Sequence, residues 1–202
     1  MSDPQISLNP ETIFRANGGK LRMSEALKLG ISRYRLYKML DEGVIEKLAG
    51  GIYRLTDLPP ISEPDLATVS LKYPKAVICL TSALAYHNIT TQIPHAVTIA
   101  ISRNMRIPTL EYPPIKAHKF SDKAFKAGIE THSIDGIDVR IYDVEKTLSD
   151  CFKYRNKIGM DIALEALKLY RARYPLKLNK ILEYAKICRV EKVMTPYLEL
   201  SL

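Results

Sequence analysis

No apolar run in this 202-residue chain approaches the ~18 residues that a membrane-crossing helix requires. The opening MSDPQISLNPETIF lacks a basic start followed by an apolar block, so it predicts no secretory leader and a cytoplasmic location. Cysteine is sparse. Cys79, Cys151 and Cys188 are odd in number, widely spaced, and each sits in an apolar run (AVICL, LSDCF, YAKIC). Small buried hydrophobes in a reducing compartment have that pattern; a disulfide framework does not. His87, His95, His118 and His132 show no ligand spacing with the cysteines, so neither a structural metal nor a cofactor is expected. Acid is also short, 22 Asp and Glu against 30 Lys and Arg, for a net charge of +8. A basic balance of this kind favours polyanionic partners.

What is present reads as globular, with 47% hydrophobic and 26% charged residues. The excess of base is concentrated in two places. From Arg15 to Lys38 the chain carries Arg15, Lys20, Arg22, Lys28, Arg33, Arg35 and Lys38 against Glu25 alone. From Lys168 to Lys192 it carries eight bases against Glu183 and Glu191, on helical segments where a solvated face is the ordinary reading. The stretch DLPPISEPDL holds three prolines and no helical or strand period. It predicts a linker over residues 58–66, between an N-terminal domain over 1–57 and a C-terminal domain over 67–202.

Three short helical patterns precede the linker. NPETIFRAN begins with Asn9 as N-cap and Pro10 at the first helical position, and Gly18 and Gly19 stop it. RMSEALKLG has Ser24 at or near its N-cap and Gly30 as its stop. ISRYRLYKMLDEG begins at Ser32, buries Leu36, Met39 and Leu40 at helical spacing, and ends at Gly43. VIEKL and GIYRL then read as two strands joined around Ala49, Gly50 and Gly51, with Val44 and Ile52 in the core. Helix, helix, glycine turn, helix and hairpin is the order of a winged helix-turn-helix.

The third helix carries the binding chemistry of that reading. Arg33 and Arg35 are the candidates for base edges, because a guanidinium can donate two hydrogen bonds to guanine in the major groove. Tyr34 and Tyr37 are candidates for phosphate or a thymine methyl, although Tyr37 could equally cover the core edge. Ser32 stands at the helix N-terminus, where phosphate is favoured. Lys20, Arg22, Lys28, Lys38 and Lys47 are candidates for phosphate. Gly50, Gly51, Tyr53 and Arg54 are the candidates on the wing. An ordinary solvated face and an ordinary hairpin would use many of the same residues.

After the linker the pattern mixes strands (AVICL, AVTIAIS, IKAHKF, IETHSI, DVRIY) with helices. TSALAYHN reads as a helix capped by Thr81 or Ser82, and DVEKTLSDCFKYRNKI as an amphipathic helix capped by Asp143. Three helical segments, DIALEALKLYRAR, LNKILEYAKICR and VEKVMTPYLEL, close the chain. The expected class is α+β, a winged helix joined to a mixed domain ending in helices.

In order along the chain, GISRYRLYKMLDEGVIEKLAGGIYRL, LTSALAYHNITTQIPHAVTIAIS, GIDVRIYDVEKTLSDCF and LNKILEYAKICRVEKVMTPYLELSL together resemble the AbiEi family of bacterial antitoxins. The resemblance implies a DNA-binding winged helix and a C-terminal domain linked to antitoxicity. It implies repression of the chain's own operon through inverted repeats at the promoter, with two copies meeting on double-stranded DNA. It also implies a nucleotidyltransferase-like toxin opposed without a stable complex, as in type IV toxin–antitoxin and abortive-infection phage defence. No fixed residue set in the C-terminal domain carries across.

Two other classes remain open from the residues. One is a protein-interaction module that binds the toxin or another partner directly. The other is a metal-dependent nuclease built on Asp143, Glu145 and Asp150 near a strand-to-helix junction. Asp143 as an N-cap and Glu145 in a first turn already have structural jobs, so no enzyme activity is expected.

Overall fold

The computed structural model describes residues 9–199 and divides into two compact units after Pro64. The opening octapeptide that bears on a leader, and the final residues of the last helical segment, lie outside the described residues.

The N-terminal unit runs α1 (Pro10–Ala16), β1 (Lys20–Arg22), α2 (Met23–Lys28), α3 (Arg33–Asp41), β2 (Ile45–Lys47) and β3 (Ile52–Leu55). The strands form an antiparallel sheet in the order β1-β3-β2. Phe14, Leu21, Ala26, Ile31, Leu36, Met39, Ile45, Tyr53 and Leu55 form one buried core. This is a winged helix with a third strand. β1 is only three residues long, too short to leave a period in the sequence.

Glycine sets the angle between α2 and α3. Gly30 sits at φ 88°, with its N–H on the Leu27 carbonyl and the Ile31 N–H on the Ala26 carbonyl at 2.9 Å. That closes α2 in a Schellman turn and turns the buried Ile31 inward. A Cβ at Gly30 would meet nothing within 4 Å, so a substitution there acts on the backbone alone. Gly30→Ala is expected to cost about 1–2 kcal/mol from the left-handed conformation, measured by urea unfolding. Gly43, at φ 71°, ends α3 in the same way.

Two boundaries differ from expectation here. Ser24 is not a cap: α2 starts at Met23, and the Glu25 carboxylate accepts the Arg22 N–H at 2.8 Å. Residues 64–66 are not linker: Pro64 opens α4 (Pro64–Lys72), since proline suits a first helical turn.

The C-terminal unit continues with β4 (Val77–Ile78), α5 (Leu80–Tyr86), β5 (Val97–Ser102), β6 (Ile115–Phe120), α6 (Asp122–Lys126), β7 (Ile129–Ile134) and β8 (Ile137–Tyr142). It ends with α7 (Val144–Lys153), α8 (Arg155–Ile158), α9 (Met160–Arg173), α10 (Leu178–Cys188) and α11 (Glu191–Glu199). Its five strands form one mixed sheet, β6-β5-β4-β8-β7. Neither Thr81 nor Ser82 caps α5. The residue before that helix is Cys79, and the Ser82 hydroxyl instead accepts the Thr98 N–H on β5 at 2.8 Å.

α7 is the axis of this unit, packed against α5, α9, α10 and α11. Every residue from Glu145 to Phe152 is buried, although three of them are charged. Asp143 caps it, accepting the Lys146 N–H at 2.7 Å. Among the described residues, no helix is long and apolar enough to cross a membrane.

Candidate nucleic-acid interface

The sequence from Ser32 to Lys38 folds into the first two turns of α3, and its side chains sort by helical angle. The Ser32 hydroxyl caps the helix by accepting the Arg35 N–H at 3.2 Å, which gives this residue a structural task. Leu36 and Met39 turn into the core, while Arg33, Tyr34, Arg35, Tyr37 and Lys38 are exposed. Tyr34 is 76% exposed and Tyr37 47%, so Tyr37 does not cover the core edge. These are large aromatic rings left in water on the face opposite the core.

Residues two apart on a helix point in different directions. Arg33 and Arg35 therefore flank Tyr34 on opposite sides of the exposed face. Arg35 lines a hollow of about 250 Å³ between α1 and α3 with Tyr34, Lys38 and Glu42, and with Glu11 on the α1 side. Lys38 is drawn 3.7 Å from Glu42, an exposed pair one turn apart. Salt between exposed groups like these is worth little, so Lys38 can exchange Glu42 for a phosphate.

The wing supplies a second edge. Gly50 and Gly51, both at positive φ, turn the chain between β2 and β3, and the Leu48 N–H closes on the Ile52 carbonyl at 2.7 Å. The Arg22 guanidinium donates to the Gly50 carbonyl at 3.2 Å and so ties β1 to the wing tip. Lys47 is exposed beside it, and Lys28 is exposed at the end of α2. Lys20 is half-buried on β1 opposite Arg54.

Two expected wing contacts are corrected. Tyr53 is fully buried in the core, and Arg54 is 5% exposed. Arg54 donates to Glu46 at 2.6 Å and to the Pro59 carbonyl. Alternation along β3 should have left one of the pair outside. It does not, because the chain after β3 folds back over the outer face of the sheet: Leu58 lies against Gly19, and Arg15 pairs with Asp57. A side chain enclosed on both faces cannot reach a phosphate.

Residues 11–56 match the family model described as "Transcriptional regulator, AbiEi antitoxin". Over those residues the chain is similar to the AbiEi antitoxin family of transcriptional regulators. The AbiEi match takes in most of α1 and everything through β3, and thus each exposed candidate just described. It stops short of the C-terminal unit, whose TSALAYH and DVEKTLSDCF segments also contributed to the resemblance. A search of curated proteins gives no match. Among solved structures, the chain is similar to the RV2827C protein from Mycobacterium tuberculosis, at 11% identity and a TM-score of 0.50. The alignment covers 91% of this chain and 76% of that one, a likeness of fold.

The acids that would build a nuclease lie outside the segment similar to AbiEi, and they are buried and engaged. Asp143 accepts from the Tyr184 hydroxyl at 2.7 Å and pairs with Lys180 at 3.2 Å. Glu145 pairs with Lys180 at 3.1 Å and Lys177 at 3.4 Å, and accepts from the Tyr170 hydroxyl at 3.1 Å. Burial pushes the Glu145 carboxyl up, but Lys180, its own backbone N–H and the Tyr170 hydroxyl together outweigh it and hold it below the usual glutamate value. Asp150 is paired with the fully buried Lys146 at 2.6 Å. Among the described residues, no group of three or more His, Cys, Asp and Glu is placed to hold a metal ion. Part of the second basic stretch thus has an internal use: Lys177 and Lys180 neutralise acids on α7. No local signal in the sequence foretells it, since the partners are more than thirty residues apart.

Proposed function

We propose that this protein is a DNA-binding transcriptional repressor of its own operon and the antitoxin of a type IV pair. The observation that carries the reading is the exposed N-terminal half of α3, which presents Arg33, Tyr34, Arg35, Tyr37 and Lys38 with no acid among them. Seated in the major groove, α3 places Tyr34 towards the groove floor and an arginine towards each side. Arg33 and Arg35 read base edges. Tyr34 and Tyr37 meet a thymine methyl or a phosphate. Arg22, Lys28, Lys38 and Lys47 engage backbone phosphates, and the Gly50–Gly51 tip approaches the neighbouring backbone. Lys20 belongs to the same positive field. Inverted repeats at the promoter would seat two copies on the DNA, one per half-site. The protein acts by binding rather than by catalysis.

The antitoxin half of the reading rests on the similarity of residues 11–56 to the AbiEi antitoxin family. That unit would counter a nucleotidyltransferase-like toxin without a stable complex. Co-expression with the product of the adjacent gene tests it. Growth should be restored without co-purification. Recovery of a tight complex would favour the direct protein-interaction module instead.

Base contacts and phosphate contacts separate by salt. Lys28→Ala is expected to weaken operator and random DNA alike and to flatten the salt slope by roughly 0.9 for the lost phosphate contact. Fluorescence anisotropy across a salt series reads both quantities. A selective loss on operator DNA would contradict the assignment.

A further inference from the structure

A second cationic feature lies on the C-terminal unit, where four elements and a loop converge on a hollow of about 360 Å³. Arg103 comes from the turn after β5, Lys119 from β6, Lys123 from α6, Lys153 from the end of α7, and Lys186 and Arg189 from the end of α10. Of these six, Lys186 alone has a carboxylate partner among the described residues, the exposed Glu191 at 3.5 Å. Lys123, Lys153 and Lys186 are in last turns and Arg189 directly ends α10, where the helix carbonyls favour cations. That does not account for Arg103 and Lys119. Gathering like charges around one concavity is unfavourable for the fold alone, and an anion relieves it.

Arg189 gives an independent sign. It occupies the left-handed position that ends α10, at φ 60°, with the Val190 N–H on the Ala185 carbonyl at 2.8 Å. Glycine is the unstrained residue there. An arginine that lines the hollow is held in a conformation that costs stability.

The lining also has features that bare phosphate would not use. Asp150, the one carboxylate in the lining, is 1% exposed and balanced from behind by Lys146 at 2.6 Å. Its other oxygen accepts from the Cys188 thiol at 3.2 Å, so it is engaged within the fold and leaves the wall without net negative charge. Tyr154, half-buried, brings an aromatic ring to the wall, stacked on Phe120 at 5.4 Å between centroids. Gathered cations and an aromatic wall match a phosphate chain joined to a flat ring. The volume is in the range of a small-ligand pocket.

We infer that this hollow binds one free nucleoside polyphosphate per chain, its phosphates on the gathered cations and its base towards the Tyr154 ring. The C-terminal unit would then sense a nucleotide, an activity separate from DNA binding by α3.

The test is isothermal titration of the full chain with each of the four nucleoside triphosphates, with inorganic tripolyphosphate and with a short random duplex as competitor. Saturable 1:1 binding of at least one nucleotide is expected, tighter than tripolyphosphate and undisturbed by the duplex. Arg189→Gly is expected to weaken that binding roughly 10-fold, the loss of one charge-assisted contact, while raising the thermal unfolding midpoint. A purely structural Arg189 would move stability and leave binding alone. No saturation at millimolar nucleotide, equal affinity for tripolyphosphate, displacement by the duplex, or an unchanged affinity in Arg189→Gly would each overturn the inference. Arg33→Ala should leave nucleotide binding intact, so failure here is distinct from failure of the DNA-binding reading.

Discussion

Lys146→Met destabilises the protein by about 3–5 kcal/mol at neutral pH, the cost expected when one partner of a buried ion pair is removed. Lys146 is fully buried on α7, its ammonium 2.6 Å from Asp150 and 4.1 Å from the centre of the Tyr142 ring. Asp150 is itself buried and accepts a weak hydrogen bond from the Cys188 thiol at 3.2 Å. Methionine fills the volume of the lysine stem but leaves the carboxylate without its counter-charge. Burial already pushes Asp150 above the usual aspartate value, and Lys146 opposes that shift. Without Lys146 the folded-state value rises further, so the folded variant holds its proton more tightly than the unfolded chain does. The stability of the variant therefore falls as pH rises from the ordinary aspartate range, near ~3.9, towards the raised value. The deficit should be smaller at about pH 5 than at about pH 8. Lys146→Met combined with Asp150→Leu should recover most of the loss, because a well-packed apolar pair replaces the ions. Urea unfolding at two pH values measures all three effects. A deficit independent of pH, or one that persists in the double variant, would mean that the pair is not the source.

The second large effect belongs to α3. Arg33→Ala with Arg35→Ala is expected to abolish discrimination between operator and random DNA. Each arginine contributes about 1–3 kcal/mol if it pairs with a base. The two flank Tyr34 on opposite sides, so they share no partner and their losses add to roughly 2–6 kcal/mol. Both side chains are exposed and neither makes a side-chain hydrogen bond among the described residues, so the fold should be unaffected. Competition binding on operator and random duplexes, with thermal unfolding as control, reads the outcome. An equal loss on both duplexes would assign the two arginines to phosphate instead.

Much of the winged helix was legible because its signals are local. Ser32 caps α3, Gly30 and Gly43 stop helices, and Leu36 and Met39 mark the buried side at helical spacing. Asp143 was readable as a cap for the same reason. What could not be read depends on contacts between distant segments. Tyr53 and Arg54 looked available because a hairpin usually exposes alternate residues. The segment from Asp57 to Pro60 covers that outer face, and nothing in β3 itself announces it. β1 is too short to show a period and exists through its pairing with β3. On α7, Glu145, Lys146 and Asp150 look like an ordinary mixture of charge. Glu145 is met by Lys177 and Lys180, and Asp150 by Cys188, all arriving from α10 and the turn before it. The rim cations of the second hollow are likewise scattered from Arg103 to Arg189, and only the fold collects them.

The most direct test of the repressor reading is a gel shift of the purified chain on its own upstream region, with random DNA as competitor and a salt series. A shift in discrete steps that survives competitor is expected, with two steps for two half-sites and a complex that weakens steeply as salt rises. A shift that random DNA abolishes as readily as operator DNA would contradict sequence-specific repression and leave α3 as no more than a basic surface.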